Sequence, residues 1–206
     1  MAPYTLPDLP YDVAALEPHY MARALELHHD KHHKAYVDGA NKAIEQLEEA
    51  RDADDFSALS GLEKALAFHV SGHMLHSLFW PTLSPDGGGD PSGSLLDSVK
   101  DTFGSMDRLR AQLTSATTGL QGSGWGALQW EPAAGRLLVT QVYDHQSNIA
   151  QGALPLMAID GWEHAFYLQH QTDKAGWLES FWAMVSWPEI ERRFEQAVQY
   201  RSPVAA

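Results

Sequence analysis

The ten residues His28–Val37, HHDKHHKAYV, hold four histidines and one tyrosine. On a helix, residues four apart share a face, so His28 pairs with His32 and His29 with His33, and Tyr36 follows His33 by three. One helix can therefore aim two imidazoles and a phenol at one cavity. Imidazoles bind first-row metals and change charge near neutral pH, and a phenol can pass a proton. The competing explanation is a solvated helix face that is rich in histidine, and this stretch alone does not decide between them.

Two further stretches carry related chemistry. HVSGHMLHSLFW sets His69, His73 and His76 on one helical face, and their spacing does not choose a ligand among them. IDGWEHAFY places Asp160 and His164 four apart, after an apolar strand. A carboxylate at a strand end beside an imidazole suits a first-row metal, although D-x-x-x-H by itself is a weak signal. Three histidine-bearing segments, one with an aspartate, point together to a three-His, one-Asp site. The chain has no cysteine, which excludes thiolate ligands, iron–sulfur clusters and disulfides and leaves nitrogen and oxygen donors.

The elements that must position these residues can be read from the patterning. LPDLPYD is proline-rich and reads as an extended arm. Helical periodicity, with Met21, Leu25 and Leu27, runs from about Glu17 to Leu47, with Pro18 near its start, where proline is tolerated. A second helix is expected from about Ala58 to Phe79, stopped near Pro81. SPDGGGDPSGS is a loop in which the chain should divide, into units 1–88 and 89–206. A third helix should follow from about Leu95 to Thr114. GWGALQW and RLLVTQVYD read as strands about the turn EPAAG, and ALPLMAID as a third strand. WLESFWAMV and PEIERRFEQAVQY close the chain as helices, the second opened by Pro188. The expected class is α+β: an N-terminal helical hairpin packed on a unit with a three-stranded antiparallel sheet and surrounding helices.

Length and composition agree. The 206 residues are 44% hydrophobic with seven tryptophans, enough for a substantial core. The formal net charge of −13 argues against nucleic acid, and mildly against an anionic substrate unless basic residues act locally. Lys31 and Lys34, beside the first histidines, are candidates for that role or simply a solvated face. MAPYTLPDLPYD shows no basic start and no apolar run, and no stretch reaches the roughly 18–20 apolar residues of a membrane span. A cytoplasmic protein is expected.

Taken together, these segments resemble the iron/manganese superoxide dismutase family over nearly the whole chain. YTLPDLPYD, LHHDKHHKAYV, HSLFWPTLSPDGGGDP, GSGWGAL and DGWEHAFYL follow the family's order, and QVYDHQ is similar to its actinobacterial branch. The resemblance implies dismutation of superoxide at one iron or manganese ion, with iron placed ahead. His28, His76, Asp160 and His164 would be the ligands and solvent would fill a fifth position; His29 and His73 would not ligate, and His33 would be a neighbour. Tyr36 and His32 would line the channel, and Trp80, Trp125 and Trp162 would form an aromatic shell. His145 takes the sheet position, and Gly72 the second-helix position, from which a glutamine often bonds the solvent. A homodimer or homotetramer is implied, joined through Glu163 and His164, with His32 meeting Tyr167 of the other chain. Leu75, His170, Thr172, Lys174 and Ser186 depart from the family pattern. They motivate an alternative, the same cage serving another redox reaction on an organic substrate, and a third reading as a metal-binding protein without catalysis.

Overall fold

The computed structural model describes residues 2–200; the end of the expected unit 89–206 lies partly outside the described residues. The order of elements is α1 (Ala22–Leu27), a π-helical turn (His28–His33), α2 (Lys34–Asp52), α3 (Leu59–Phe79), a 3-10 turn (Trp80–Thr82), α4 (Gly93–Phe103), α5 (Met106–Thr118), β1 (Gly124–Glu131), β2 (Arg136–Tyr143), β3 (Leu154–Asp160), α6 (Glu163–His170), α7 (Lys174–Met184) and α8 (Trp187–Ala197). This is the expected α+β arrangement, a helical hairpin followed by three antiparallel strands and their helices. No helix among the described residues is long and apolar enough to cross a membrane.

In the hairpin, α2 buries Val37, Ala40, Ala43 and Leu47, a stripe at helical spacing. The C-terminal half of α3 is buried on nearly every side, because it runs from the hairpin into the core of the second half. The proline-rich arm lies extended along the hairpin. Tyr4 exchanges two backbone hydrogen bonds with the Asn41 side chain, and the Tyr11 hydroxyl donates to the Trp80 carbonyl.

β1 is the central strand, antiparallel to β2 and β3. A Cβ at Gly126 would fall 2.0 Å from Thr117 Oγ1, so only glycine lets α5 lie this close to the strand. In register, Trp125 of β1 faces Asp160 of β3. Neighbouring residues so paired project to the same face of a sheet, so the register brings an indole and a carboxylate together. Beneath them Phe79, Trp177 and Phe181 are fully buried. Each such side chain stabilises the fold by about 2–3 kcal/mol through its burial alone.

Three expectations need correcting. The first helix begins at Ala22 rather than near Glu17, and Pro18 follows a cis peptide bond in the turn before it. Side chains satisfy the N–H groups at the helix start: Glu17 of the turn accepts through Oε1 from Ala22 N, and Gln169 of α6 through Oε1 from Met21 N. The helix also runs on to Asp52, because residues 48–52 are good helix formers on a solvated face where apolar periodicity gives no signal. Finally, the single helix expected over Leu95–Thr114 is two. Gly104, at φ 86°, ends α4 in the left-handed region, and the Ser105 hydroxyl caps α5 by accepting from Arg108 N.

Candidate metal centre

The histidine-rich stretch is wound as a π-helical turn between two α-helical segments, a local widening often found where a helix carries function. It buries His28, His29 and His33 and leaves His32 at the surface. α3 supplies His76 and β3 ends on Asp160. The Trp162 N–H donates to Asp160 Oδ1 at 2.8 Å, which tightens the turn into α6 and swings His164 back over the strand end. Four elements distant in sequence thereby converge.

One potential ligand atom from each of His28, His76, Asp160 and His164 lies within 4.8 Å of the others. The Nε2 atoms of His28, His164 and His76 stand 3.1, 3.2 and 3.7 Å from Asp160 Oδ2. His28, His76 and Asp160 are fully buried. Neither His28 Nε2 nor His76 Nε2 has an aligned hydrogen-bond partner, although buried polar atoms are normally satisfied. Three imidazole nitrogens and one carboxylate oxygen around a point, two of them orphaned, fit a four-ligand site for iron or manganese, and the donor set does not separate the two ions.

The electrostatics are those of a ligand cage. Burial lowers the His28 pKa to about 4 and takes His76 well below the usual imidazole range, against the raising pull of Asp160. Burial alone would raise the Asp160 carboxyl, but its contacts with His164 and His28 outweigh this and hold it below the ordinary range. At neutral pH His28 and His76 are therefore uncharged and Asp160 is ionised, which is the charge state that ligation requires of them.

His29, His33 and His73 are committed elsewhere. His33 Nδ1 accepts from Trp80 Nε1 at 2.9 Å, and its Nε2 is 2.9 Å from His73 Nδ1. His29 pairs with Asp30 and with the Pro7 carbonyl. This is why spacing could not choose among them: the converging histidines differ from these neighbours in partners, not in position along a helix. Around the cage, Trp80 meets His28 edge-on at 4.9 Å, Trp125 meets His76 edge-on at 5.0 Å, and Trp162 stacks on His164 at 5.3 Å.

Tyr36 lies above His76, ring centroids 5.1 Å apart, and 4.5 Å from His145. Burial, then the charges of Asp160 and Asp144, raise its phenol pKa, so it keeps its proton. His145 Nδ1 accepts from Trp125 Nε1 at 3.0 Å, leaving an unpaired, proton-bearing Nε2; burial lowers its pKa to about 3. A Cβ at Gly72 would lie 2.8 Å from the Tyr36 ring, so a longer side chain in that helix would displace the tyrosine. His32 stacks on His164 at 4.4 Å. Two contributors were not foreseen. Phe68 packs edge-on against both Tyr36 and His145, and Tyr20 reaches His28. Neither sits at a spacing that marks it as part of the site.

α6, read from sequence only as a motif, is a helix that exposes Tyr167 and Leu168 by 49% and 52%. A recess of 650 Å³ beside it is lined by Trp162, Glu163, His164, Tyr167, Thr172 and Lys174. Lys174 is half-buried, and burial lowers its pKa against the pull of Asp160 and Glu163. Of the other lysines, Lys34 is paired with Asp38, whereas Lys31 forms no ion pair among the described residues. Leu75 is buried in the apolar core.

Residues 3–84 match the family described as iron/manganese superoxide dismutases, alpha-hairpin domain, and residues 91–193 match the C-terminal domain of the same family. The chain is 52% identical over 198 residues to a superoxide dismutase [Mn] of Nocardia asteroides, covering 96% of each chain. It is 50% identical to a superoxide dismutase [Mn/Fe] of Propionibacterium freudenreichii subsp. shermanii, covering 95% of this chain and 98% of the relative. It is also 50% identical to a superoxide dismutase [Mn] of Mycolicibacterium smegmatis, covering 98% of each.

Proposed function

Because the chain belongs to the iron/manganese superoxide dismutase family, we propose that it dismutates superoxide at one iron or manganese ion held by His28, His76, Asp160 and His164. The observation that supports this most is the convergence of those four side chains within 4.8 Å. The ion, when bound, supplies the one-electron couple by which two superoxide anions and two protons become one dioxygen and one hydrogen peroxide.

The chain's own residues do the rest. Three neutral imidazoles and one carboxylate leave a di- or trivalent ion with net positive charge, so the site attracts an anion despite a chain charge of −13. Lys31, beside His32, and Lys174, in the recess that His164 also lines, add positive charge near the site. Tyr36, still protonated, can donate towards the bound anion, and His32 at the surface can resupply it. Trp80, Trp125 and Trp162 exclude water and hold the ligand rings rigid. His145, its Nδ1 held by Trp125, would present Nε2–H beside the metal site as a fixed donor. The division of the chain at residues 88 and 89 and a cytoplasmic location belong to the same reading; the gap between the two matched spans, 3–84 and 91–193, supports the former.

The test is superoxide consumption by purified protein whose metal content is measured on the same sample. Activity proportional to iron or manganese supports the proposal. Metal-replete protein without activity, but consuming oxygen with an organic substrate, would point to the repurposed cage instead.

We also propose a homodimer, or a tetramer of such dimers, joined across α6. Glu163 would reach the partner's ligand histidine and Tyr167 the partner's His32. The exposed Tyr167 and Leu168 and the recess beside them support this surface. Sedimentation is expected to give a dimer or tetramer, and Glu163→Lys to shift it towards monomer. A parent chain that sediments as a fully active monomer would contradict the interface.

A further inference from the structure

Tyr20 is fully buried, and its hydroxyl lies 2.6 Å from Nδ1 of His28. Its ring packs on Trp177 at 5.0 Å, and the Trp177 N–H donates to the Asp160 backbone carbonyl at 2.8 Å. Two touching aromatic residues thus each hold one residue of the cage. The turn that presents Tyr20 is anchored in the same way. Gln169, on the helix that carries His164, accepts from Met21 N at 2.6 Å and donates to the Pro18 carbonyl at 3.0 Å.

We propose that Tyr20 is a positioning residue for the metal, acting through His28. The inference rests on His28 being a ligand, as proposed above. A neutral imidazole carries one proton, and Nε2 must be bare to ligate, so the proton then sits on Nδ1 and the Tyr20 oxygen must accept it. In the empty cage the other tautomer is accessible: Nε2–H faces Asp160 Oδ2 at 3.1 Å, and the Tyr20 hydroxyl donates to bare Nδ1. A hydroxyl can serve both states by rotating its hydrogen. His76 differs, because its Nδ1 is 2.6 Å from the Gly72 carbonyl, which only accepts. That bond keeps His76 in the ligating tautomer whether or not the ion is present. Tyr20 therefore keeps Nδ1 of His28 partnered in either tautomer, so His28 can switch on loading.

Removing the hydroxyl strands the Nδ1–H of the loaded state in a dry site and weakens the imidazole as a donor to the ion. Tyr20→Phe keeps the ring packed on Trp177. Partners of ligand histidines typically matter by about 10–100-fold in metal affinity. Iron release from loaded Tyr20→Phe to a chelator should therefore be faster than from the parent by about that factor. Its midpoint potential should move positive, with the melting temperature of the metal-free protein nearly unchanged. Release and potential equal to the parent's would overturn the inference. Should the variant not fold, 3-fluorotyrosine at position 20 alone, a weaker acceptor of nearly the same shape, must still move the potential positive; an unmoved potential overturns the inference equally. His28→Ala separates the two levels. If it keeps a full complement of iron, the site reading fails and this inference with it. If it loses iron while Tyr20→Phe behaves as the parent, the inference alone fails.

Discussion

Asp160→Ala empties the metal site. Asp160 is the one anionic side chain of the cage, and its Oδ2 faces all three histidine Nε2 atoms at 3.1–3.7 Å. Its contacts with His164 and His28 hold the carboxyl below the ordinary range, so the charge is in place at neutral pH. Without it, a di- or trivalent ion would meet three neutral imidazoles in a site from which water is excluded, with nothing to balance its charge. The same carboxylate holds the Trp162 N–H that starts the turn to α6, so His164 also loses its placement. Both effects act in one direction. Retained iron plus manganese should fall by more than about 100-fold, beyond the loss typical of an outer partner. Elemental analysis of the dialysed variant, with circular dichroism to verify folding, is the check. Asp160→Asn sharpens it: with the amide oxygen still accepting from Trp162, the amide nitrogen replaces Oδ2, so the turn is kept while the charge and the metal-facing oxygen are both lost. Full metal retention in the asparagine variant would show that charge does not hold the ion.

His145→Gln alters which ion works best rather than how much is bound. His145 is buried and touches no ligand atom, yet its ring lies among those of Tyr36, Trp162 and His76, at 4.5, 4.5 and 5.8 Å. Trp125 occupies Nδ1, which forces the proton onto Nε2 and makes the residue a donor of fixed direction. Burial lowers its pKa to about 3, so the donor stays neutral across the working range. A glutamine in its place offers two amide hydrogens and an acceptor on a freer chain, and so would change the hydrogen bonding presented beside the metal site. Iron and manganese need different adjustments there to bring their couples between the two superoxide couples. The ratio of iron-form to manganese-form activity should change by about 10-fold or more, in keeping with effects one shell out from a metal. Metal content should stay near the parent's. Equal ratios in parent and variant would remove His145 from the account of metal preference.

Much of this was legible in the sequence, for identifiable reasons. The strands announce themselves by apolar runs about a turn, and Glu131, whose carboxylate accepts from Ala133 N and Ala134 N, closes the EPAAG turn through a side chain visible in the sequence. The four metal-facing residues were reached through family resemblance. Periodicity left His69, His73 and His76 equivalent; what separates them is that His76 alone converges with His28, Asp160 and His164, while His73 Nδ1 pairs with His33. The π-helical winding of His28–His33 leaves no mark in residue types, because it depends on the buried partners of three imidazoles. The break at Gly104 turns on one residue in the left-handed region inside an otherwise helical pattern. Tyr20 stayed hidden because an apolar-looking aromatic in a turn signals packing, and its hydroxyl finds His28 only after the chain has doubled back.

The most direct test of the central claim is stopped-flow decay of superoxide, followed with metal-loaded parent protein beside His76→Ala prepared in the same way. His76 is fully buried and its Nε2 has no hydrogen-bond partner among the described residues; because its loss also removes the Gly72 bond and the packing on Trp125, circular dichroism must show the variant folded. The account predicts decay that rises in proportion to bound iron or manganese in the parent and falls to the uncatalysed rate in the variant. A parent rate no faster than that of His76→Ala, at full metal loading, would contradict it.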